Sequence, residues 1–181
     1  MSTSRISAPP AGLRIRIATA VDAPAIASLG AETFTASFGA QNTPENIAAH
    51  LAKSYGADIQ SRELTDPAIT YFIAEMNGRT AGYAMVMEGE APASITGARP
   101  VELRRFYVVN DFHGTGVAQS LMDACANEVR RRGGRSFWLG VWSLNPRAIR
   151  FYEKCGFRKV GTQTFLLGDD PQQDYLLVRA L

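Results

Sequence analysis

The sequence predicts a mixed α/β fold of the α+β kind, built on one mostly antiparallel central sheet of about seven strands flanked by helices. Several short runs alternate apolar and polar residues with period two, as half-buried strands do. Other segments repeat apolar residues three and four positions apart, as amphipathic helices do. An Asn-Gly pair between two runs rich in β-branched and aromatic residues adds a hairpin. A length of 181 residues fits one domain, which we assign to residues 13–181 behind a disordered tail at residues 1–12.

The N-terminal half begins with a strand and continues with three helices. Residues 13–17 alternate with period two. Asp22 and Thr43 each stand just before a proline, which is the usual arrangement of a capping residue and a first helical turn. A third helix over residues 58–64 ends before Asp66, because a residue that precedes proline avoids the helical region.

A hairpin and a long loop follow the helices. Residues 69–74 and residues 80–86 are rich in strand-forming types and flank the turn at Asn77 and Gly78. Residues 88–100 are rich in Gly, Ala and Pro, which indicates an exposed loop. We expect this loop to border the binding site of a substrate.

The C-terminal half alternates strands and helices. A strand over residues 101–109 runs into a glycine-containing turn, and a helix begins at Gly116. Apolar residues four positions apart form a stripe along this helix at Val117, Leu121, Cys125 and Val129. A strand, a helix and a terminal hairpin then follow at residues 136–142, 146–155, 157–166 and 174–181, with a loop at residues 168–171.

Composition excludes several functional classes. Lys and Arg number 19 and Asp and Glu number 17, and a net charge of +2 does not indicate nucleic-acid binding. One arginine cluster, either a favourable helix C-terminus or a site for a phosphate or an acidic partner, comprises Arg130, Arg131, Arg132 and Arg135. The 2 cysteines and 2 histidines lack the spacing of metal ligands, and no disulfide framework is indicated. With no signal peptide and no membrane-spanning run, we expect a cytoplasmic protein without metal or membrane partners.

The turn Phe-His-Gly-Thr-Gly-Val-Ala, residues 112–118, is a candidate site for a diphosphate. Gly114 and Gly116 let the backbone approach a ligand closely, and the first amides of the following helix have no helical partner. The Lys-Ser/Thr of a Walker loop and the third glycine of a dinucleotide fingerprint are both missing from this turn. Taken alone, an ordinary tight strand-to-helix turn is the simpler interpretation.

A second motif, Asn-Pro-Arg-Ala-Ile-Arg-Phe-Tyr-Glu-Lys-Cys-Gly-Phe, runs from Asn145 to Phe157. Together the two motifs resemble the GNAT superfamily of N-acetyltransferases. The family pattern Gln/Arg-x-x-Gly-x-Gly/Ala is matched from His113 to Ala118, with His in place of the usual Gln or Arg. The pattern Asn-x-x-Ala-x-x-Phe-Tyr-x-x-x-Gly-Phe is matched at every fixed position. Further similarity to the PaiA-like branch, known as spermine/spermidine N-acetyltransferases, lies in residues 33–46, 137–142 and 165–170.

The resemblance implies a GNAT fold, with the sheet splayed at the cofactor site, and acetyl-CoA as cosubstrate. Main-chain groups of the strand would pair with the pantetheine arm, amides of the turn would hold the diphosphate, and Asn145 would contact the thiol end. The expected cofactor-binding residues are Phe106, Tyr107, Val108, His113, Gly114, Thr115, Gly116, Val117, Ala118, Gln119, Asn145, Tyr152 and Lys154. For Lys154, a solvated helix lysine is the simpler interpretation. Similar proteins are commonly dimers, so a homodimer is a further expectation.

Two residues are candidate catalytic groups. Tyr152 would protonate the leaving thiolate, and ordinary pKa values of about 10 for tyrosine and about 8.5 for a thiol make that transfer uphill by only about 2 kcal/mol. The alternative is a core aromatic at helical spacing. Glu102 would take the proton of the amine directly or through a water, and its alternative is a solvent-facing strand carboxylate. A strand N–H near Val108 would stabilise the oxyanion.

The expected function is therefore acetyl transfer to a primary amine of a small molecule, a polyamine first of all, by direct attack in a ternary complex. Two alternatives stay open: acetylation of a protein or peptide N-terminus, and a non-catalytic acetyl-CoA-binding regulatory module. Both motifs face the CoA, so neither addresses the acceptor.

Overall fold

A computed structural model describes residues 9–181, which form one mixed sheet in the order β1-β2-β3-β4-β5-β7-β6. Its strands are β1 (Leu13–Ile17), β2 (Ile69–Met76), β3 (Arg79–Glu88), β4 (Pro100–Val108), β5 (Ser136–Trp142), β6 (Arg158–Leu167) and β7 (Asp170–Ala180). The helices are α1 (Ala23–Phe38), α2 (Pro44–Ser54), α3 (Ala57–Thr65), α4 (Val117–Arg131) and α5 (Pro146–Lys154). Neighbouring strands are antiparallel apart from β4 and β5, which confirms the predicted sheet.

The expected tail lies largely outside the described residues, at residues 1–8, and with the domain boundary it stays a prediction. Residues 10–12 are described and form a turn. The Leu13 amide donates to the Pro10 carbonyl at 3.1 Å, and the Asn77 amide donates to the Gly12 carbonyl at 3.0 Å. The turn thus joins the start of β1 to the β2–β3 hairpin.

Helix starts follow the capping pattern, with one difference. The Thr43 hydroxyl accepts the Asn46 amide at 3.2 Å and caps α2 as predicted. Asp22 stands at the start of α1, but its carboxylate binds the Arg16 guanidinium at 2.8 and 2.9 Å and the Thr19 amide at 2.8 Å. The position was predicted correctly, whereas the ion pair with β1 is a long-range contact that a local pattern does not contain.

The hairpin between β2 and β3 turns at Asn77 and Gly78, which have φ of 51° and 76°. Two consecutive left-handed residues are the requirement of a type I′ turn, so the predicted hairpin is confirmed. The terminal hairpin differs from the prediction, because β7 begins at Asp170 rather than at residue 174. Pro171 is tolerated there since β5 pairs with β7 only from Asp174 onward.

The two faces of the sheet carry different layers. Beneath α4 lies the largest apolar core, and the predicted stripe Val117, Leu121, Cys125 and Val129 is fully buried in it. The opposite face packs against α1 and α3. The loop at residues 89–99 docks Ile95 against Trp138 on that opposite face, so it does not hang free. Within residues 9–181 no helix is long and apolar enough to cross a membrane.

The parallel pair β4 and β5 separates after a short contact, and this confirms the expected splay. Pairing is confined to Pro100 with Ser136, Val101 with Phe137, and Glu102 with Trp138. Beyond Glu102, β4 continues to pair with β3 on its other side as far as Val108. One edge of residues 103–108 is therefore left without a strand partner in the described chain, and a cleft begins there.

Candidate active site

A cleft of about 970 Å³ opens where β4 and β5 diverge, with walls from α1, α2, α5 and the β6–β7 hairpin. Nine of the predicted site residues line it: Glu102, Phe106, Tyr107, Val108, His113, Gly114, Ala118, Asn145 and Tyr152. The predicted residues that do not line it are Thr115, Gly116, Val117, Gln119 and Lys154. Lys154 is exposed, in keeping with a solvated helix lysine. The loop at residues 89–99 contributes no lining residue, so the expectation that it borders the substrate site was wrong.

The free edge of β4 presents alternate backbone groups to the cleft. The Val109 amide donates to the Ala81 carbonyl of β3 at 2.9 Å, and the Tyr107 carbonyl lies 2.5 Å from where a Cβ of Gly82 would be. Because successive residues of a strand direct their polar groups to opposite sides, Phe106 and Val108 direct theirs toward the splay. Tyr107 instead lines the cleft with its side chain. This edge can pair with an extended amide-bearing chain as a further strand would.

The glycine turn leaves a cluster of amides without protein partners. Gly114 and Gly116 have φ of 79° and 90°, which only glycine adopts without strain. Within residues 9–181 the Gly114, Gly116, Val117, Ala118 and Gln119 amides make no backbone hydrogen bond, whereas the Thr115 amide donates weakly to Phe112 at 3.4 Å. Converging free amides at a helix N-terminus suit a phosphate group.

His113 fastens this turn to β4. Its Nε2 lies 2.8 Å from the Val108 carbonyl, and since a carbonyl only accepts, the imidazole donates. The residue at this position therefore acts through its side chain on the protein itself.

Asn145 has two roles at the start of α5. Its side-chain oxygen accepts the Ala148 amide at 3.0 Å and caps the helix. The side-chain NH₂ group remains for a ligand in the cleft, which Asn145 also lines.

Tyr152 combines the two interpretations that the sequence leaves open. Its ring is buried and contacts Phe106, Phe151 and Phe157 at centroid separations of 6.3, 5.5 and 5.9 Å. The residue also lines the cleft. Burial raises the pKa of Tyr152 above its ordinary value, with smaller contributions from Cys155 and Cys125, so the hydroxyl stays protonated. A buried ring thus aims a neutral O–H donor into the cleft.

Glu102 occupies the last paired position before the splay. Val101 and Leu103 belong to the core beneath α4, so Glu102 points to the opposite face, where the cleft lies. The side chain is 12% exposed and receives Arg104 at 3.3 Å, which excludes a solvent-facing carboxylate. Burial raises the pKa of Glu102, and Arg104 opposes that shift.

An aromatic wall and a carboxylate line the same cleft as the residues predicted to face CoA, and sequence reasoning largely missed them. The aromatic residues contact one another in pairs that are distant in sequence. The ring centroids lie 4.1 Å apart for Phe34 and His50 and 5.8 Å apart for Phe38 and Trp142. The wall consists of Phe34, Phe38, His50, Tyr55, Trp142 and Phe165. Burial is the main cause that lowers the pKa of His50 to about 4, so this imidazole is neutral at physiological pH. Asp174 of β7 also lines the cleft.

Two arginine groups are held by internal partners. Arg105 at the cleft donates to Glu63 at 2.7 Å and to the Ser54 carbonyl at 3.1 Å, which ties β4 to the junction of α2 and α3. In the helix-end cluster, Glu128 binds Arg131 at 2.7 Å and Arg132 at 2.9 Å. These contacts favour the structural interpretation of the cluster over a phosphate site.

Known proteins show the same pattern of sequence and fold. The sequence profile of the acetyltransferase (GNAT) family matches residues 32–157. An uncharacterised N-acetyltransferase of Mycobacterium tuberculosis is 37% identical over 160 residues, which is 88% of this chain and 98% of that protein. An uncharacterised N-acetyltransferase of Lactobacillus delbrueckii subsp. lactis is 30% identical over 170 residues, 94% of this chain and 98% of that one. In fold, the chain is similar to the PaiA N-acetyltransferase of Thermoplasma acidophilum crystallised with coenzyme A, with a TM-score of 0.76, 17% identity and coverage of 93% and 99%.

Proposed function

The chain belongs to the GNAT family of acetyltransferases, and from this premise we propose that it acetylates a primary amine of a small molecule, with a polyamine as the first candidate. Membership makes it an acyltransferase whose cosubstrate is acetyl-CoA. The proposal concerns the acceptor and the residues that carry out the transfer.

The observation that carries the proposal is that a single cleft is lined both by backbone groups suited to acetyl-CoA and by side chains suited to an amine. On one side lie the free β4 edge and the exposed amides of the glycine turn. The aromatic wall, Asp174, Glu102 and Tyr152 line the same cleft. A module that only binds acetyl-CoA has no need of the second half.

For the cosubstrate, the backbone groups of Phe106 on the free edge would pair with the pantetheine arm, and the Val108 N–H would face the thioester at the end of that arm. The amides of Gly114, Gly116 and the first turn of α4 would hold the diphosphate, and His113 would keep these two parts in register. Asn145 would contact the thiol end through its side-chain NH₂ group.

In the transfer itself, the neutral amine attacks the thioester carbonyl, so that a C–N bond forms and the C–S bond breaks. The Val108 N–H stabilises the carbonyl oxygen as it gains charge. Glu102 takes the proton of the amine, directly or through a water, and the raised pKa of its carboxylate makes it a better base than an ordinary glutamate. Tyr152 gives its proton to the departing sulfur.

Charge and shape in the acceptor half support an amine. Salt bridges neutralise two of the three arginines that line the cleft, Arg104 with Glu102 and Arg105 with Glu63, and the third, Arg147, is an exposed residue of α5. Aromatic faces attract ammonium groups as well as apolar chains. An extended cationic amine fits this combination better than an anionic acceptor does.

Thermal unfolding with acetyl-CoA tests the cofactor half. At a hundredfold excess over its dissociation constant the ligand should stabilise the fold by about 2.7 kcal/mol. A panel of amines and N-terminal peptides, scored by release of free CoA thiol, tests the acceptor half. Turnover with small amines supports the proposal, turnover confined to peptides replaces it with N-terminal acetylation, and binding without turnover replaces it with a regulatory module. A homodimer remains a separate expectation, to be checked by light scattering.

A further inference from the structure

Asp174 is a cleft carboxylate that the proposed reaction does not use. On β7 it pairs with Trp142 of β5 on one side and with Gln163 of β6 on the other. Directly opposed residues in a sheet project from the same face, so these three side chains form a row across three strands. All three line the cleft.

Gly140 gives this row its space. A Cβ at Gly140 would lie 2.8 Å from the Gln163 Nε2 and 3.3 Å from an Asp174 carboxylate oxygen. The Asp174 and Gln163 side chains therefore lie over the backbone of β5, where any larger residue at position 140 would displace them. Trp142, two residues further along the same face of β5, closes one side of the space.

The charge of Asp174 has no counterpart in the described chain. Within residues 9–181 no Lys, Arg or His nitrogen lies within 4.0 Å of it, whereas Glu102 has Arg104 at 3.3 Å. Burial raises the pKa of Asp174 to about 6, and the Gln163 amide partly offsets this. At neutral pH the side chain is therefore mostly a carboxylate, and burying such a charge is costly unless it is paired.

A cation from the acceptor would complete the group. The carboxylate supplies the charge, and the Trp142 ring, itself held edge-on by Phe38 at 5.8 Å, supplies an aromatic face beside it. An amine bound to a carboxylate is stabilised in its charged form, whereas the attacking nitrogen must be neutral. The cation at Asp174 is thus a group other than the reacting one.

We propose that Asp174, with Trp142 and Gln163 beside it, anchors a second cationic group of the acceptor that stays charged during the transfer. The inference rests on the proposed amine acetylation and narrows its acceptor to an amine that carries a further cation. Asp174 is then a specificity-determining residue, and its loss should weaken binding of a dication without disabling the chemistry.

The test uses two acceptors of equal length, 1,4-diaminobutane and 1-aminopentane, which differ by the second nitrogen. Hydrogen bonds to charged groups are worth enough that Asp174→Asn should lower kcat/KM for the diamine about tenfold to a hundredfold, mainly through KM. The value for the monoamine should change less than about twofold, and Asp174→Glu should restore part of the preference. The matched control is Asp169→Asn, which removes an exposed carboxylate at the turn of the same hairpin and should behave as wild type.

Binding is measured separately, by calorimetry of 1,4-diaminobutane with the CoA-loaded protein, and should weaken by the same factor in Asp174→Asn. Retained acetyl-CoA affinity and a melting temperature no lower than that of wild type establish that this variant folds. An equal loss of kcat/KM with both amines would show that Asp174 acts on the reacting nitrogen, and would overturn the inference. Unchanged kinetics and binding of the diamine in Asp174→Asn would also overturn it. If no amine causes release of the CoA thiol, the proposed acetylation is wrong. Diamine binding that depends on Asp174 would still show, in that case, that Asp174 binds a cation.

Discussion

The His113 imidazole donates a hydrogen bond to the Val108 carbonyl at 2.8 Å, and so links the glycine turn to the last residue of β4. Val108 directs its backbone groups toward the splay, where its carbonyl would otherwise lack a partner. The contact also leaves the Val108 N–H as the available group at the end of the strand. The β4 edge and the glycine turn, which we propose bind the cofactor, are thereby held at a fixed separation.

Replacing His113 with Ala should weaken acetyl-CoA binding about fivefold, because a net hydrogen bond of about 1 kcal/mol that orders the turn is lost. The catalytic constant should change little, since His113 does not reach the reacting atoms. Calorimetric titration with acetyl-CoA measures the affinity. His113→Gln keeps an N–H donor and should retain most of it, and an unchanged affinity in the Ala variant would contradict the role.

Most of the fold could be predicted because its signals are local. The Asn77-Gly78 turn, the Thr43 cap and the four-residue apolar stripe of α4 each depend on residues a few positions apart, and all three are found. The start of β7 could not be predicted in this way. Asp170 and Pro171 are typical turn residues, and their pairing with β6 is decided across the hairpin.

The candidate site divides along the same line. The groups that we propose face CoA lie within two short motifs, apart from the β4 edge at Phe106 and Val108 just before the first motif, so a local sequence pattern could predict them. The acceptor half is assembled from α1, α2, β5, β6 and β7, and a pair such as Phe34 and His50 or Trp142 and Asp174 has no local signature. From the sequence, Asp174 is an ordinary polar residue of a strand, and only the pairing of β5 with β7 shows that it lies beside Trp142.

Replacing Tyr152 with Phe should reduce turnover by about two to four orders of magnitude, as loss of a general acid does. Acetyl-CoA affinity should be nearly unchanged, because the ring keeps its contacts with Phe106 and Phe157. Single-turnover rates and calorimetry together separate the two effects. Tyr175→Phe, at a tyrosine that does not line the cleft, is the control, and normal turnover in the Tyr152 variant would remove this residue as the acid.

Replacing Glu102 with Gln should remove the acidic limb of the pH–rate profile. The base must be ionised, so in wild type activity falls as pH decreases through the pKa of Glu102, which burial raises above its ordinary value. Arg104 opposes that rise, so Arg104→Met should move the limb to higher pH. Profiles of kcat/KM for the three proteins are measured with 1-aminopentane, which does not need Asp174, and are corrected for the fraction of neutral amine. An acidic limb that persists in Glu102→Gln would assign the base elsewhere.

Replacing Asp174 with Asn should stabilise the ligand-free protein at neutral pH. Its folded pKa of about 6 lies above the ordinary value of 3.8, so ionisation costs folding energy that grows as pH rises from about 4 to 6 and is constant above. After discounting for solvent screening of a side chain that is not fully enclosed, the gain is about 1 kcal/mol, or about 2–4 °C in melting temperature. The difference between variant and wild type should vanish near pH 4, and Asp169→Asn should show none at either pH. Addition of 1,4-diaminobutane should raise the melting temperature of wild type and not of the variant, because only the carboxylate offers the cation a partner. If the ligand-free variant melts below wild type at neutral pH, Asp174 stabilises the fold and the prediction is wrong.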